Sequence, residues 1–157
     1  MAEKRLLDDV ELFQGLSRIQ LEKVQRLCQL EEYQAGAAIF GERAPAEKLY
    51  VVDKGKVALQ MQLPAGRDVS GRRMTIDTVA KGEVFGWSAV VGRQSYTMTA
   101  VCLEPTTVAA ISGSGLRSLM QEDNALGYHV LRGLINVVAY RLDETRQLLM
   151  TERLVSS

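Results

Sequence analysis

Two kinds of hydrophobic spacing divide this chain into three stretches. From Leu6 to Leu30 the apolar residues Leu7, Val10, Leu12, Phe13, Leu16, Leu21, Val24, Leu27, Cys28 and Leu30 recur mostly at steps of three and four, with a break at Gly15-Leu16-Ser17. That period returns side chains to one helix face, so it predicts two short helices with Ser17 as N-cap of the second. The middle changes period. Ala38–Phe40, Leu49–Val52, Lys56–Leu63, Met74–Val79, Tyr96–Leu103 and Thr107–Ile111 are short, rich in β-branched residues and partly alternating, and Gly36, Gly41, Gly55, Gly66, Gly71 and Gly82 punctuate them. Short strands joined by tight turns predict a small barrel or jelly roll. After Ser112 the helical period returns: Ser112 or Ser114 can cap a short helix through Gln121, and Asp123 or Asn124 a longer one to about Leu149. The expected class is α+β in a single domain over 1–157. It has N-terminal helices over 1–30, a β-roll over 31–112, and C-terminal helices over 113–157 that include one long helix.

Within the roll, Gly82-Glu83-Val84-Phe85-Gly86-Trp87-Ser88-Ala89-Val90 is followed by a Thr-rich strand from Tyr96 to Cys102. A Gly turn, an apolar stub, a second Gly and small residues opening a helical turn at 86–91 form an anion cradle, because backbone N–H groups at a helix start face negative charge and Gly permits close approach. Ser88, Ser95, Tyr96 and Thr97 add hydroxyls around it, although Thr97 and Thr99 read equally well as strand residues.

Three further phrases precede the cradle in order: Leu12-Phe13-Gln14-Gly15-Leu16-Ser17, Tyr33-Gln34-Ala35-Gly36-Ala37-Ala38-Ile39-Phe40 and Leu49-Tyr50-Val51-Val52-Asp53-Lys54-Gly55-Lys56-Val57. In that order the chain resembles the cyclic-nucleotide-binding domain, the sensory half of catabolite-activator (Crp/Fnr) type regulators. The resemblance implies a phosphate-binding cassette over 82–99, with ligand positions at Phe85, Gly86, Trp87, Ser88, Ala89, Arg93, Gln94, Ser95, Tyr96 and Thr97. It also implies two departures. The family holds the ribose 2′-hydroxyl with a Glu directly after the Phe-Gly pair, where this chain has Trp87; counting back from Ala100 puts the phosphate-binding Arg at Gln94. Charge-assisted hydrogen bonds contribute roughly 1.5 to 3 kcal/mol each, so losing both moves a micromolar site toward millimolar. Arg93 is one position away, and Gly92 permits a slip that would turn it inward; the other reading of Arg93 is a solvated loop residue. Trp87 reads as a core filler or plug beside Phe85, or as a stacking platform.

Composition narrows the function. Nineteen basic and nineteen acidic residues among 157 give a net charge of zero, and therefore no global field toward nucleic acid or an anionic membrane. The cluster Arg67, Arg72 and Arg73 reads as a solvated hairpin loop. Apolar runs are interrupted well before the roughly 18 residues a membrane span needs, and no signal core follows Met1-Ala2-Glu3-Lys4-Arg5, so a cytoplasmic protein is expected. Cys28 and Cys102 read as buried free thiols. With His129 as the single histidine, neither a Cys/His zinc site nor a Ser-His-Asp triad is expected, so neither enzyme activity nor a bound cofactor or metal is. A cyclic nucleotide or other small anion remains the candidate ligand.

The long helix carries Leu126, Val130, Leu131, Leu134, Ile135, Val137, Val138, Leu142, Leu148 and Leu149 over more than one face, wider than the stripe that covers one roll. One face docks and a second meets a twin, so a homodimer is expected, with a seam at Leu126, Val130, Leu134, Val137 and Val138. Only Thr151–Ser157 follow this helix, so no DNA-binding module is expected, and the signal is expected to pass to an unidentified effector protein.

Overall fold

The computed structural model describes residues 7–63 and 72–156. Among these residues eight strands form two four-stranded antiparallel sheets, the jelly roll of an α+β fold. They are β1 (Cys28–Tyr33), β2 (Ala38–Phe40), β3 (Lys48–Lys54), β4 (Val57–Gln62), β5 (Arg73–Val79), β6 (Val84–Phe85), β7 (Thr99–Cys102) and β8 (Thr106–Ser112). One sheet has the order β1-β8-β3-β6, the other β2-β7-β4-β5. A 3₁₀ turn (Glu11–Phe13) and helix α1 (Arg18–Gln25) precede the roll, α2 (Ser88–Val91) interrupts it, and α3 (Gly113–Glu122) and α4 (Asn124–Ser156) follow.

The helix starts lie where the sequence places them. Ser17 and Gln20 form a reciprocal capping box on α1, Ser112 accepts from the Gly115 N–H on α3, and the Asp123 carboxylate accepts from the Leu126 N–H at 3.1 Å on α4. The N-terminal helical reading overshoots at its end. Cys28, Gln29 and Leu30 begin β1, whose six residues pair with β8 from Cys28↔Ile111 to Tyr33↔Thr106. Cys28 and Leu30 are two apart as well as part of a three- and four-step series, and a full ladder satisfies more backbone groups there than a fraying helix end. The strand expected from Tyr96 starts only at Thr99, β6 was not anticipated, and α4 runs past Leu149 to Ser156. Arg67 lies outside the described residues, while Arg72 is exposed beside the start of β5.

Two cores share the β1-β8-β3-β6 sheet. Leu49, Val51, Ala109 and Ile111 face the helices, where they join Leu12, Phe13 and Leu116; Tyr50, Val52, Val108 and Ala110 face into the roll with Val57, Leu59 and Phe85. Alternate residues of β3 and β8 therefore bury on opposite sides, which explains their unbroken apolar runs.

This packing corrects the expected dimer seam. Leu126, Val130 and Leu134 are fully or almost fully buried in the helix-side core, and Val137 packs against it. Of the five residues expected at the seam, only Val138 is exposed. Steps of four, four and three from Leu126 to Val137 trace one stripe, and that stripe faces the roll. Gly133 lets α4 approach the 3₁₀ turn, since a Cβ there would lie 2.9 Å from the Leu12 side chain and carbonyl. The outward apolar residues include Tyr128, Leu131, Ile135, Val138, Leu142 and Leu149.

Cys102 is buried and Cys28 only half-buried, with neither in a disulfide. Among the described residues no helix is long and apolar enough to cross a membrane, and no group of three or more His, Cys, Asp or Glu could hold a metal ion.

Candidate ligand site

The cassette is anchored by its glycines and by one tyrosine. Gly86 has φ +79°, and a Cβ there would come within 3.2 Å of the Lys48 carbonyl and the Tyr50 ring, so the strand-to-helix corner requires glycine. Gly92, at φ +85°, ends α2 with its N–H on the Ser88 carbonyl. The loop that follows is held by Tyr96. Its hydroxyl donates to the Lys48 carbonyl at 2.6 Å and accepts from the Lys48 N–H at 3.0 Å, and its ring stacks on Phe40 with centroids 3.7 Å apart. Burial pushes the Tyr96 phenol above its ordinary range, and hydrogen bonds with Lys48, Glu47 and Tyr50 only partly oppose this.

Between cassette, roll and α4 lies a cavity of about 30 Å³. Gly86, Trp87 and Ser88 line one side, Tyr96 and Thr97 the loop side, Phe40, Leu59 and Met98 the roll, and Arg141 of α4 the remaining side. That volume holds roughly one water-sized group, against the several hundred Å³ typical of a ligand pocket. Half-buried Trp87 and Arg141 meet at its wall, the guanidinium carbon 4.7 Å from the indole centroid in a cation–π contact.

Arg141 is the charged group of this lining. Its Nε lies 3.3 Å from Asp77 Oδ2, its Nη2 donates to the Val84 carbonyl at 2.5 Å, and its Nη1 is buried without a hydrogen-bond partner. Desolvation pulls its pKa down, opposed by the negative charges of Asp77, Glu83 and Glu144. Arg141 also lines a larger cavity of about 450 Å³ between Leu12, Gly82, Val84 and Val137.

Five of the ten expected ligand positions come together here: Gly86, Trp87, Ser88, Tyr96 and Thr97. Phe85 lies beneath them in the core, stacked on Tyr50 with centroids 5.2 Å apart. Ala89 is fully buried, and its carbonyl accepts from Arg117 Nη1. Arg93 and Gln94 are exposed and do not line the cavity, and Ser95 pairs with Pro45 in an isolated bridge. Arg93 is held by its backbone, whose N–H donates to the Ser88 carbonyl at 3.1 Å. Sequence reasoning missed Phe40, Leu59, Met98 and Arg141. A signal for the last was present: Leu126, Val130, Leu134, Val137 and Arg141 follow one another at steps of four, four, three and four, so a cation continues a buried stripe.

Comparison with known proteins agrees with the fold. The chain is 24% identical over 134 residues to the CRP-like cAMP-activated global transcriptional regulator of Mycobacterium tuberculosis, an alignment covering 85% of this chain and 56% of the relative. The chain thus spans little more than half the length of that curated relative. Among solved structures, a cyclic nucleotide-binding domain from Methylobacillus flagellatus superposes with a TM-score of 0.81 at 19% identity, covering 96% of this chain and 84% of the other. The sensor domain of the transcriptional regulator DNR from Pseudomonas aeruginosa gives 0.73 at 22% identity, covering 91% and 93%. Residues 30–123 match the profile of the cyclic nucleotide-binding domain, and this chain belongs to that family.

Proposed function

We propose that this chain is a non-catalytic regulatory module whose pocket does not take cyclic AMP in the ordinary way, and that it signals through a partner protein. The observation that carries this reading is the small cavity of about 30 Å³ beside the cassette, at whose wall Trp87 stacks against Arg141. Where the family resemblance expects an acid, an indole stands against a guanidinium; where it expects a cation, Gln94 points to solvent. His129, the sole histidine, packs against Gly15 and edge-on to Tyr128, a structural setting rather than a catalytic one. The outward stripe of α4 is the surface for a twin helix, so the module acts as a homodimer in the cytoplasm. A rival reading, cyclic-AMP sensing through Arg93, requires that exposed side chain to turn inward.

Calorimetric titration of wild type and Arg93→Ala with cyclic AMP and cyclic GMP separates the two. Near-millimolar or weaker binding, unchanged in Arg93→Ala, is expected. Low-micromolar binding abolished by Arg93→Ala would establish the sensor instead.

A further inference from the structure

The larger cavity beside the long helix, of about 450 Å³, has the volume of an ordinary ligand pocket, roughly 300 to 1,000 Å³. Its walls are the 3₁₀ turn with Val10 before it, the Gly82-Glu83-Val84 turn into β6, and α4 at Asn136, Val137, Tyr140 and Arg141. Val10, Leu12 and Val84, almost completely buried in the helix-side core, give it an apolar lining together with half-buried Val137. Gly82 leaves room at one edge, since nothing lies within 4 Å of where a Cβ would stand. Charge selects the occupant. Two carboxylates, Glu11 and Glu83, line the cavity with one cation, Arg141. That guanidinium is already committed to Asp77 at 3.3 Å, and Glu83 and Glu144 add further negative charge around it. Among the described residues neither Glu11 nor Glu83 forms a salt bridge. Glu83 Oε1 accepts from the Ala80 N–H at 2.8 Å, which holds this carboxylate at the turn. Tyr140, exposed on α4, adds an aromatic ring, and ring faces attract cations. An apolar lining with surplus negative charge complements an organic cation and repels an anion.

We propose that this cavity binds a small organic cation, an ammonium or amidinium group on an apolar body, with Glu11 and Glu83 holding the charge and Val10, Leu12, Val84 and Val137 covering the body. The Arg141–Asp77 pair stays as it is, and the ligand neutralises the carboxylates that this pair leaves over. The site is separate from the cassette cavity, with which it shares only Arg141, so it does not depend on whether the cassette takes a cyclic nucleotide.

The probe is phenethylamine, with phenylacetate and 2-phenylethanol as anionic and neutral counterparts of similar shape. Each is titrated into the full-length, nitrogen-15-labelled chain, following backbone amide shifts by NMR, and thermal unfolding verifies the fold of every variant. Phenethylamine should shift the amides of Glu11, Leu12, Gly82, Glu83 and Asn136 saturably, and phenylacetate should not. Glu11→Gln and Glu83→Gln should each weaken binding about threefold to tenfold, and the double variant about tenfold or more. Glutamine at 83 keeps an oxygen for the Ala80 N–H, so the charge is removed without the hydrogen bond. Should that turn still not fold, Glu11→Gln alone decides. Glu122→Gln, at an exposed acid ending α3, should leave the affinity within about twofold, and added salt should weaken it. No saturable shifts with phenethylamine, binding of phenylacetate or 2-phenylethanol as tight as that of phenethylamine, shifts centred on residues 86–97, or an affinity unchanged by loss of the carboxylates would overturn the proposal.

Discussion

Trp87 and Gly86 show how one side chain and one missing side chain shape the same corner. The indole spans the space between cassette and α4, in contact with the Arg141 guanidinium, while Gly86 allows the backbone beneath it to pass the Lys48 carbonyl. Trp87→Ala should cost about 2 kcal/mol including the lost cation–π contact, below the roughly 3 to 5 kcal/mol of a fully buried ring because the indole is only half-buried. Gly86→Ala should cost about as much for a different reason, since the new Cβ combines positive φ with contacts at 3.2 Å. Urea unfolding of both variants at pH 7 measures these losses, and a cost below about 0.5 kcal/mol in Gly86→Ala would mean the corner can relax. Trp87 was legible in the sequence because it directly follows Phe85-Gly86. Arg141 was not, because faces of a helix are read from apolar residues, and a buried arginine looks like a surface one until its neighbours in space are known.

At the scale of elements, the strands that alternate cleanly or bury both faces could be read, and those defined by their partners could not. Leu49–Val52 and Thr107–Ile111 are continuous apolar runs and appear as β3 and β8. The two-residue β6 exists through its pairing of Val84 with Val51 and Phe85 with Tyr50, which no local pattern encodes. Tyr96–Met98 is rich in strand formers but is held out of the ladder by the Tyr96 hydroxyl on Lys48. The docking of α4 on the 3₁₀ turn gives an element-level test. Gly133→Leu, which would crowd Leu12, should destabilise by about 1 to 3 kcal/mol through overpacking. The same substitution at outward-facing Arg132 should change stability by less than about 0.5 kcal/mol.

A second element-level test uses Glu31 on β1, which meets Lys48 on β3 at 2.8 Å. Burial raises the Glu31 carboxyl, but hydrogen bonds from Lys48 and Tyr33 outweigh it and bring the net pKa below 4.5. A carboxylate depressed in the folded state stabilises above its unfolded pKa, and that stability is lost as pH falls through the folded value. Lys48→Met should therefore flatten the loss of stability below about pH 4.5, while at neutral pH it costs less than about 1 kcal/mol because the lysine is partly exposed. An acid limb identical to wild type would show that the pair is not coupled.

For the whole molecule, α4 presents two different faces to two different surroundings. Its inner stripe completes the core and ends at Arg141, while Tyr128, Leu131, Ile135, Val138, Leu142 and Leu149 face outward at alternating steps of three and four until Leu142. Such spacing matches that of a coiled-coil seam, and the proposed dimer would cover side chains that a monomer leaves in water. The sequence revealed the excess of apolar surface but not which residues were surplus, because the division depends on how α4 is rotated on the roll. Ile135→Glu with Val138→Glu should give a folded monomer, since two copies would oppose unpaired charges at a symmetric seam. Light scattering at tens of micromolar decides this, and a monomeric wild type would contradict the assignment.

The central claim, that an indole and an uncharged residue keep the ordinary ligand out of an otherwise preserved fold, is tested most directly by restoring what the resemblance leads one to expect. The measurement is the calorimetric affinity of Trp87→Glu with Gln94→Arg for cyclic AMP, relative to wild type. The variant replaces the indole with a ribose acceptor and places an arginine three positions before the cavity-lining Thr97. Recovery of two charge-assisted contacts should tighten binding about a hundredfold or more, with each single change recovering less than the pair. A double variant that binds cyclic AMP no better than wild type, or a wild type already at low micromolar, would contradict the account.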